Sequence, residues 1–355
     1  MLGQQLGDNE SWRRARWGIW RVANVRAHLH EAALIAEGLL EDAAREGSAN
    51  WALHAHHAAW STRLFMGDLA TNCRHVDIGL ALYDIDRDPA DCVALGGHDA
   101  RECGLIQASN SQLVMGFPDR ARAMNRAAIE HSFRLGIPQS IGHAHTWSLI
   151  LLQLVDDTEE LEARTNFLAD LAEQHGMNIY HSEARILNAW LGVKHDRDPK
   201  ALTAMRDFFE HRLAMGTYFF QTYFYWLIGD AALQLGRAEE ALAAAKEGLA
   251  RASATAEGFC VAELHRLVAR CQLALDASNF ESAEHALQAA LADARARSAL
   301  LWEVRAAKDL AQLWSEHVRR EEARDLLSSA YAQFTEGFDT PDLKEVKRLL
   351  EQLRD

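Results

Sequence analysis

The sequence predicts an all-helical protein built from repeated helical hairpins, and three observations support this fold class. Only five prolines interrupt its 355 residues, and alternation of the kind that marks β-strands is hard to find. Long Ala/Leu/Glu/Arg segments, such as AEEALAAAKEGLARA at 238–252, place their apolar residues on one stripe at helical spacing. Helix stop and start signals also recur at a nearly constant interval along the chain.

These junctions share one form, in which a helix ends at a glycine or a short polar turn and the next helix begins with acidic residues. LGRAEEAL at 235–242 is the clearest example. Successive junctions are about 40 residues apart, with one longer interval of roughly 49. We therefore expect about eight hairpins, each consisting of an A helix, a tight turn and a B helix. The other junctions lie at 27–34, 65–72, 114–122, 154–162, 194–202, 276–284 and 317–327.

The repeats predict one domain over residues 1–355, although this length would more often indicate two. Each hairpin of a repeat array buries its apolar face only against its neighbours, and no Pro/Gly/Ser-rich linker divides the chain. We expect the hairpins to wind into a right-handed superhelix. The stretch RDPADCVALGGHD at 87–99 lies within the longer interval, and we expect it to be an extended loop between repeats.

The stretch FTEGFDTPDLKEVKRLLEQL at 334–353 predicts how the array ends. We expect Gly337 to end the last B helix and Thr340 to cap a further helix that has a proline in its first turn. Asp342 then occupies the positive end of the helix dipole, which argues against an anion site there. Residues 340–355 are therefore predicted to be a C-terminal capping helix, whose apolar stripe is Leu343, Val346, Leu349, Leu350 and Leu353.

The composition argues against several classes of partner. A formal net charge of -14 opposes non-specific attraction to nucleic acid or to anionic membranes. The five cysteines lack the two-residue spacing of redox or zinc motifs, so we expect reduced, partly buried thiols. MLGQQLGDNESW at the start does not have the form of a signal peptide, and no apolar stretch approaches the roughly twenty residues of a membrane span. We expect a soluble, cytoplasmic protein with no direct nucleic-acid or membrane partner.

Four segments carry a family resemblance: HHAAWSTRLFMGD at 56–68, GHDARECGLIQASNSQLVMGFPDRA at 97–121, AELHRLVARCQLAL at 262–275, and 334–353. The Leu-Gly junctions resemble tetratricopeptide repeats, although the usual tyrosine after Leu-Gly is mostly missing. In this order the four segments look like the C-terminal repeat region of large bacterial signalling proteins. Those proteins are the predicted STAND-type ATPases with winged-helix domains and the related class III adenylate cyclases. The resemblance extends from RARWGIWRVANVRA at 14–27 to the end of the chain.

The resemblance implies a tetratricopeptide-like α-solenoid with a sensor or scaffold role in a bacterial signalling system. In that family the repeats follow a cyclase or ATPase module. This sequence has no G-x-x-x-x-G-K-[ST] phosphate loop and no recognisable cyclase domain. We therefore transfer the fold and the sensor role, and we expect neither catalytic residues nor a cofactor.

Tetratricopeptide-like arrays usually bind ligands on the concave face, which the A helices line. Stepping back from each junction by three and four residues gives a face that is polar and aromatic throughout. Such a face suits a peptide, a protein partner or a small metabolite, although an exposed helix face is also often simply polar. The candidate groove residues are His54, His57, Asp99, His143, Trp147, Glu183, Tyr223, Trp226, Glu263, Arg266 and Arg270. Charge reversal of the last two together is expected to weaken binding with the helix content unchanged.

Two local patterns suggest metal chemistry, and simpler explanations are preferred for both. His54 and His57 are spaced to present two imidazoles to zinc, but no sequence motif supplies a third ligand. The His98-Asp99 pair is similar to a metal phosphohydrolase motif, but its position before a helical segment favours Asp99 as an N-cap. We therefore expect no metal site.

The leading functional hypothesis is a non-enzymatic sensor or scaffold that binds its ligand in the concave groove. One alternative is an enzyme whose pocket is built from groove histidines and carboxylates such as His57, Asp99 and Glu183. A second alternative is an assembly platform that forms homo-oligomers through a terminal hairpin.

Overall fold

The computed structural model of the protein describes residues 9–316 and 319–354, and all its regular elements are α-helices. Residues 1–8 lie outside this range; they belong to the stretch that does not have the form of a signal peptide. Residues 317–318 of the last junction also lie outside it. None of the described helices is both long and apolar enough to cross a membrane. The helices are α1 Asn9–Val25, α2 Leu29–Glu46, α3 Ala49–Phe65, α4 Leu69–Ala81, α5 Asp88–Gly96, α6 Ala100–Val114, α7 Pro118–Leu135, α8 Pro138–Leu154, α9 Thr158–His175, α10 Asn178–Asp196, α11 Pro199–Ala214, α12 Gln221–Gln234, α13 Ala238–Thr255, α14 Val261–Leu275, α15 Phe280–Ala296, α16 Leu300–Glu316, α17 Arg320–Tyr331 and α18 Pro341–Gln352.

Sixteen of these helices form eight consecutive pairs, and packing between helices that are neighbours in sequence dominates the fold. Each predicted junction falls between the two helices of a pair, so the predicted all-helical repeat organisation is confirmed. The A helices of the eight hairpins are α1, α3, α6, α8, α10, α12, α14 and α16. Such neighbour packing is typical of α-helical repeat proteins, in which no single hairpin has a core of its own.

The expectation of an extended loop at 87–99 was wrong, because helix α5 occupies most of this stretch. Pro89 stands in the first turn, where a proline removes no intrahelical hydrogen bond. The Asp88 carboxylate accepts hydrogen bonds from the Asp84 N–H (2.7 Å) and from the Asn50 amide (3.0 Å). The Trp17 indole N–H also donates to the carbonyl of Leu95 (3.3 Å), which ties α5 to α1. This insertion lengthens the repeat interval without opening the array.

Hydrogen bonds between distant repeats show that the array is tightly coiled. At the turn of hairpin one, the Val25 carbonyl accepts hydrogen bonds from the N–H groups of Tyr218 (2.8 Å) and Phe219 (3.2 Å), just before hairpin six. At the turn of hairpin two, the Phe65 carbonyl accepts one from the Gly258 N–H (2.9 Å), just before hairpin seven. Each turn thus meets the chain entering the hairpin five places later.

The close approach at hairpin seven requires a glycine. A Cβ atom at Gly258 would lie 2.2 Å from the carbonyl oxygen of Met66, closer than real Cβ contacts come. The Arg297 guanidinium donates to the same carbonyl (2.7 Å). A side chain at 258 would therefore separate the two coils of the array at this point.

The tail forms the predicted helix, but its connection differs from the expectation. Helix α17 ends at Tyr331, so Gly337 does not end it, and the expectation about Gly337 was wrong. Gly337 instead has a φ of 73° in the connection, and its N–H donates to Asp119 at the turn of hairpin three (3.2 Å). The Thr340 hydroxyl stands at the N-cap position but donates to the Gly337 carbonyl (2.7 Å) and does not cap the helix. Docking of the tail onto hairpin three therefore sets this conformation.

Deletion of residues 340–355 is expected to lower the melting temperature by more than about 5 °C. The apolar face of α18 is buried, with side chains such as Leu343 and Val346 only 1% exposed, so the deletion uncovers their partners on α16 and α17. Circular dichroism melts measure the effect. An unchanged melting temperature would contradict a capping role for this segment.

Candidate functional site

A partly enclosed cavity of about 160 Å³ lies inside the first coil of the array. The A helices of the first six hairpins surround it, together with the segment that leads into α12. Its wall is mainly aromatic and aliphatic, with a small number of polar side chains. The groove expected on the concave face is therefore a partly enclosed cavity in this region, where hairpins one and six meet.

Five of the eleven predicted groove residues line this cavity: His57, His143, Trp147, Glu183 and Tyr223. They come from four different A helices. Stepping back from each junction by three and four residues, the stepping rule, therefore identified the inward face correctly at these positions. The other six predicted residues lie elsewhere, in surroundings described next.

Asp99, His54 and Trp226 are buried away from the cavity wall. Asp99 is the N-cap of α6, as expected, accepting hydrogen bonds from the backbone of Arg101 (2.9 Å) and Glu102 (3.1 Å). Burial lowers the pKa of His54 to about 4, and its ring packs edge-on against two tryptophans. The Trp226 ring packs against Trp302. These side chains serve the packing of the hairpins.

Glu263 and Arg266 belong to a network of ion pairs at the C-terminal end of the same face, and Arg270 forms a separate ion pair nearby. The Arg266 guanidinium donates to both carboxylate oxygens of Glu263 (2.9 and 3.0 Å) and to Asp309 (3.0 Å). Arg270 pairs with Asp230 (2.9 Å). Neither arginine lines the cavity, and each has a carboxylate partner within the protein.

Glu183 forms a fully buried ion pair with Arg212 at one side of the cavity (Oε1 to Nε, 3.0 Å). Burial raises the pKa of Glu183, and the neighbouring guanidinium opposes this shift. The two remaining nitrogens of Arg212 donate to the carbonyls of Thr217 (3.0 Å) and Phe219 (2.9 Å). Arg212 therefore neutralises Glu183 and also holds the segment that closes the cavity.

A second buried cluster surrounds His143. The Trp147 indole N–H donates to His143 Nε2 (3.0 Å), so a neutral His143 carries its proton on Nδ1 and faces the Glu102 carboxyl (3.2 Å). Burial lowers the pKa of His143 to about 3 and raises that of Glu102. The His98 ring stacks on His143 with their centroids 3.9 Å apart. These contacts fix the orientation of both imidazoles.

His57 brings two further groups together at the cavity wall. Its Nε2 atom lies 3.4 Å from His98 Nε2 and 3.3 Å from Cys103 Sγ. Burial lowers the pKa of both histidines, with the charge of the neighbouring imidazole as a further cause, and it raises the pKa of the Cys103 thiol. Near neutral pH the wall therefore presents neutral imidazoles.

Several hydrogen-bond donors at the cavity have no acceptor among the described residues. Arg21 lines the cavity as an exposed residue, so its guanidinium is open to solvent as well; it forms no ion pair in residues 9–316 and 319–354 and has one long contact, to the Leu95 carbonyl (3.4 Å). The amide groups of Asn24 and Gln107 each use one atom, with a hydroxyl of α3, and leave the other without a partner in this range. The Thr146 hydroxyl is buried without any partner. This wall is thus rich in donors.

Sequence reasoning missed the contribution of α1, because the first A helix lies before the first clear glycine junction. Trp17, Trp20 and Asn24 line the cavity and are spaced by three and four residues. This helical spacing within RARWGIWRVANVRA was the signal that could have found them. His98 was considered only through its neighbour Asp99. Its approach to His57 depends on a contact across 41 residues of sequence.

The stability of the protein is expected to depend on pH through Glu257, which lies between α13 and α14 and reaches the start of α12. Its carboxylate accepts a hydrogen bond from the Thr222 N–H (3.0 Å), while burial raises its pKa from 4.5 to about 7. Between these pH values the unfolded chain loses a proton that the folded chain keeps, so stability falls as the pH rises. The loss amounts to about 3 kcal/mol, at about 1.36 kcal/mol per pKa unit.

Urea unfolding of the wild type and of Glu257→Gln at pH 4.5 and pH 8 tests this expectation. The stability of the variant relative to the wild type should increase by about 3 kcal/mol between the two pH values. Glu239→Gln, at an exposed carboxylate, is the matched control. If the free energies of unfolding of the wild type and Glu257→Gln changed with pH in parallel, this would contradict a raised pKa for Glu257.

Comparisons with known proteins give little functional information. No family model matches the chain. A protein of Rhizobium meliloti (strain 1021), described only as uncharacterized, is 25% identical over 268 residues. The match covers 74% of this chain but 25% of the relative. The chain thus corresponds to about a quarter of the length of that relative.

Proposed function

We propose that this chain is a non-enzymatic ligand-binding module that holds a small molecule in its central cavity. In this proposal the array is a tetratricopeptide-like, right-handed α-solenoid, and its cytoplasmic role is that of a sensor in a bacterial signalling system. The resemblance of its sequence to the repeat regions of such signalling proteins supports the role. The observation that carries the proposal is the partly enclosed cavity with hydrogen-bond donors on its wall.

The size and closure of the cavity favour a small molecule over a peptide. Hairpins one and six meet at the carbonyl of Val25, which restricts the space for an extended chain along the inward face beneath them. An internal space of about 160 Å³ is comparable to engineered cavities of roughly 150 Å³ that bind benzene. The ligand is therefore expected to have about the size of a substituted single ring.

The chemistry of the wall defines the ligand further. Rings such as Trp17, Trp147 and Phe220 offer apolar faces to a flat body. The donors of Arg21, Asn24 and Gln107 favour a head group rich in acceptors, and the unpaired guanidinium favours a negative charge. Since Arg212 already neutralises Glu183, the wall carries no unpaired carboxylate at that position. We infer a small aromatic or aliphatic carboxylate.

A thermal-shift and tryptophan-fluorescence screen with benzoate, phenylacetate and indole-3-acetate tests this proposal, with the corresponding amides as uncharged controls. At least one carboxylate should raise the melting temperature and quench the tryptophans of the wall. Arg21→Gln should reduce that affinity about tenfold or more, as expected for loss of one charge-assisted contact. Arg134→Gln, at an exposed arginine on α7, should bind like the wild type. Equal responses to the carboxylates and the amides would contradict an anionic ligand.

An enzymatic role for the same cavity is the second candidate, and the convergence of His57, His98 and His143 favours it. The sequence placed Asp99 in the pocket of such an enzyme, but Asp99 does not line the cavity. Incubation of the wild type with each bound compound, followed by mass spectrometry, distinguishes the candidates. A product that forms with the wild type but not with His57→Gln would support an enzyme, as would robust turnover of ATP by the purified chain.

A further inference from the structure

We propose that His57, His98 and Cys103 bind a borderline-soft divalent transition-metal ion, such as Zn²⁺, on the wall of the cavity. The three ligand atoms lie within 4.8 Å of one another. They come from α3, from the residue before the N-cap of α6, and from the first turn of α6. No motif in the sequence joins them, since the first and last are 46 residues apart.

Two of the three separations between these atoms are close to those of a tetrahedral metal site. With metal–nitrogen bonds of about 2.05 Å and a metal–sulfur bond of about 2.3 Å, tetrahedral edges are about 3.3 Å between nitrogens and about 3.6 Å between nitrogen and sulfur. The two Nε2 atoms are 3.4 Å apart, and the nitrogen–sulfur separation at His57 is 3.3 Å. The remaining pair of ligand atoms, on His98 and Cys103, lies within 4.8 Å, so side-chain adjustment on entry of an ion is needed mainly between these two.

The surrounding contacts hold the imidazoles in place. The His57 ring stacks on Trp60, with centroids 4.7 Å apart and planes 12° from parallel. His98 stacks on His143, which is itself held by Trp147 and Glu102. Stacking of this kind fixes the ring planes, a task that hydrogen bonds to the second ring nitrogen usually perform in metal sites.

The set of ligands indicates which ions fit. Two imidazoles and a thiolate suit zinc and other late transition metals, whereas magnesium and calcium require oxygen ligands. Cys103 would bind as the thiolate, so uptake of the ion releases the thiol proton to solvent. Three protein ligands also leave a fourth coordination position.

That fourth position connects the ion to the cavity, because His57 and His98 both line it. A water molecule or a donor atom of a bound carboxylate can complete the coordination. The metal site goes beyond the proposed function and does not depend on it, since ion binding is measurable with no organic ligand present. A negative result for the organic ligand would therefore not bear on ion binding, and a negative result for the ion would not bear on the organic ligand.

The test uses the full chain without an affinity tag, stripped with a chelator and then incubated with Zn²⁺ or Co²⁺. After desalting, elemental analysis is expected to find about one ion per chain. The Co²⁺ form should show the strong visible absorption of a tetrahedral centre and a near-ultraviolet thiolate charge-transfer band. Circular dichroism confirms that the stripped chain stays folded.

Two ligand variants and two controls locate the ion. His98→Gln, at a half-buried position, and Cys103→Ser should each weaken Zn²⁺ binding by more than about 100-fold, and the serine variant should lose the charge-transfer band. His145→Gln and Cys260→Ser, at a buried imidazole and a buried thiol outside the cluster, should bind like the wild type. The proposal would be overturned if the folded wild type bound no ion, or if both ligand variants bound Zn²⁺ as tightly as the wild type.

Discussion

Replacement of Arg212 by Met is expected to lower the free energy of unfolding by about 3–5 kcal/mol. The guanidinium is fully buried and is the ion-pair partner of the Glu183 carboxylate. Its removal leaves that carboxylate buried without a counter-charge, and it also removes the donors to the carbonyls of Thr217 and Phe219. Urea unfolding followed by circular dichroism measures the loss.

The double variant Arg212→Met with Glu183→Gln separates the buried charge from the lost hydrogen bonds. A neutral amide at 183 should restore a large part of the stability, because an unpaired buried charge accounts for most of the cost. The connection before α12 should remain weakened in both variants, since its carbonyls have lost the same donors. A double variant as unstable as the single one would contradict this division.

Charge reversal at Arg266 is the second change with a large expected effect, again more than about 3 kcal/mol of unfolding free energy. Arg266 lies between Glu263 and Asp309, so a glutamate there would place three carboxylates in one half-buried cluster. The sequence alone led us to expect weaker ligand binding and unchanged helix content from charge reversal of Arg266 and Arg270 together. The ion pairs now predict a loss of stability instead.

Arg134→Glu is the matched control for this charge reversal, because that arginine is exposed on α7 and forms no ion pair among the described residues. It should unfold within about 0.5 kcal/mol of the wild type. An Arg266→Glu variant that is equally stable would show that the network contributes nothing measurable.

The repeat organisation could be predicted because helix ends leave local signals. Junctions such as LGRAEEAL combine a glycine with an acidic first turn, and each such signal depends only on nearby residues. The helix at 88–96 was missed because the contacts that support it are not local in sequence. Its support comes from Asn50 and Trp17, which are distant in sequence.

The closure of the cavity could not be predicted from such local signals. It depends on the small rotation between successive hairpins, which accumulates until the turn at Val25 meets Tyr218. The stepping rule therefore identified inward residues such as His57 and Glu183 without showing that they line one partly enclosed cavity. Farther along the same face, Arg266 also followed the rule, but the position of Asp309 makes it part of an ion-pair network.

Native mass spectrometry of the gently purified full chain tests the central claim most directly. The wild type is expected to carry one small organic molecule per chain, either copurified or after addition of the carboxylate that binds in the screen. Thr146→Ser, which keeps the hydroxyl and the space, should retain it, whereas Thr146→Phe fills the cavity and should lose it. Retention of the same molecule by a folded Thr146→Phe variant, or its absence from the wild type under both conditions, would contradict a ligand-binding cavity.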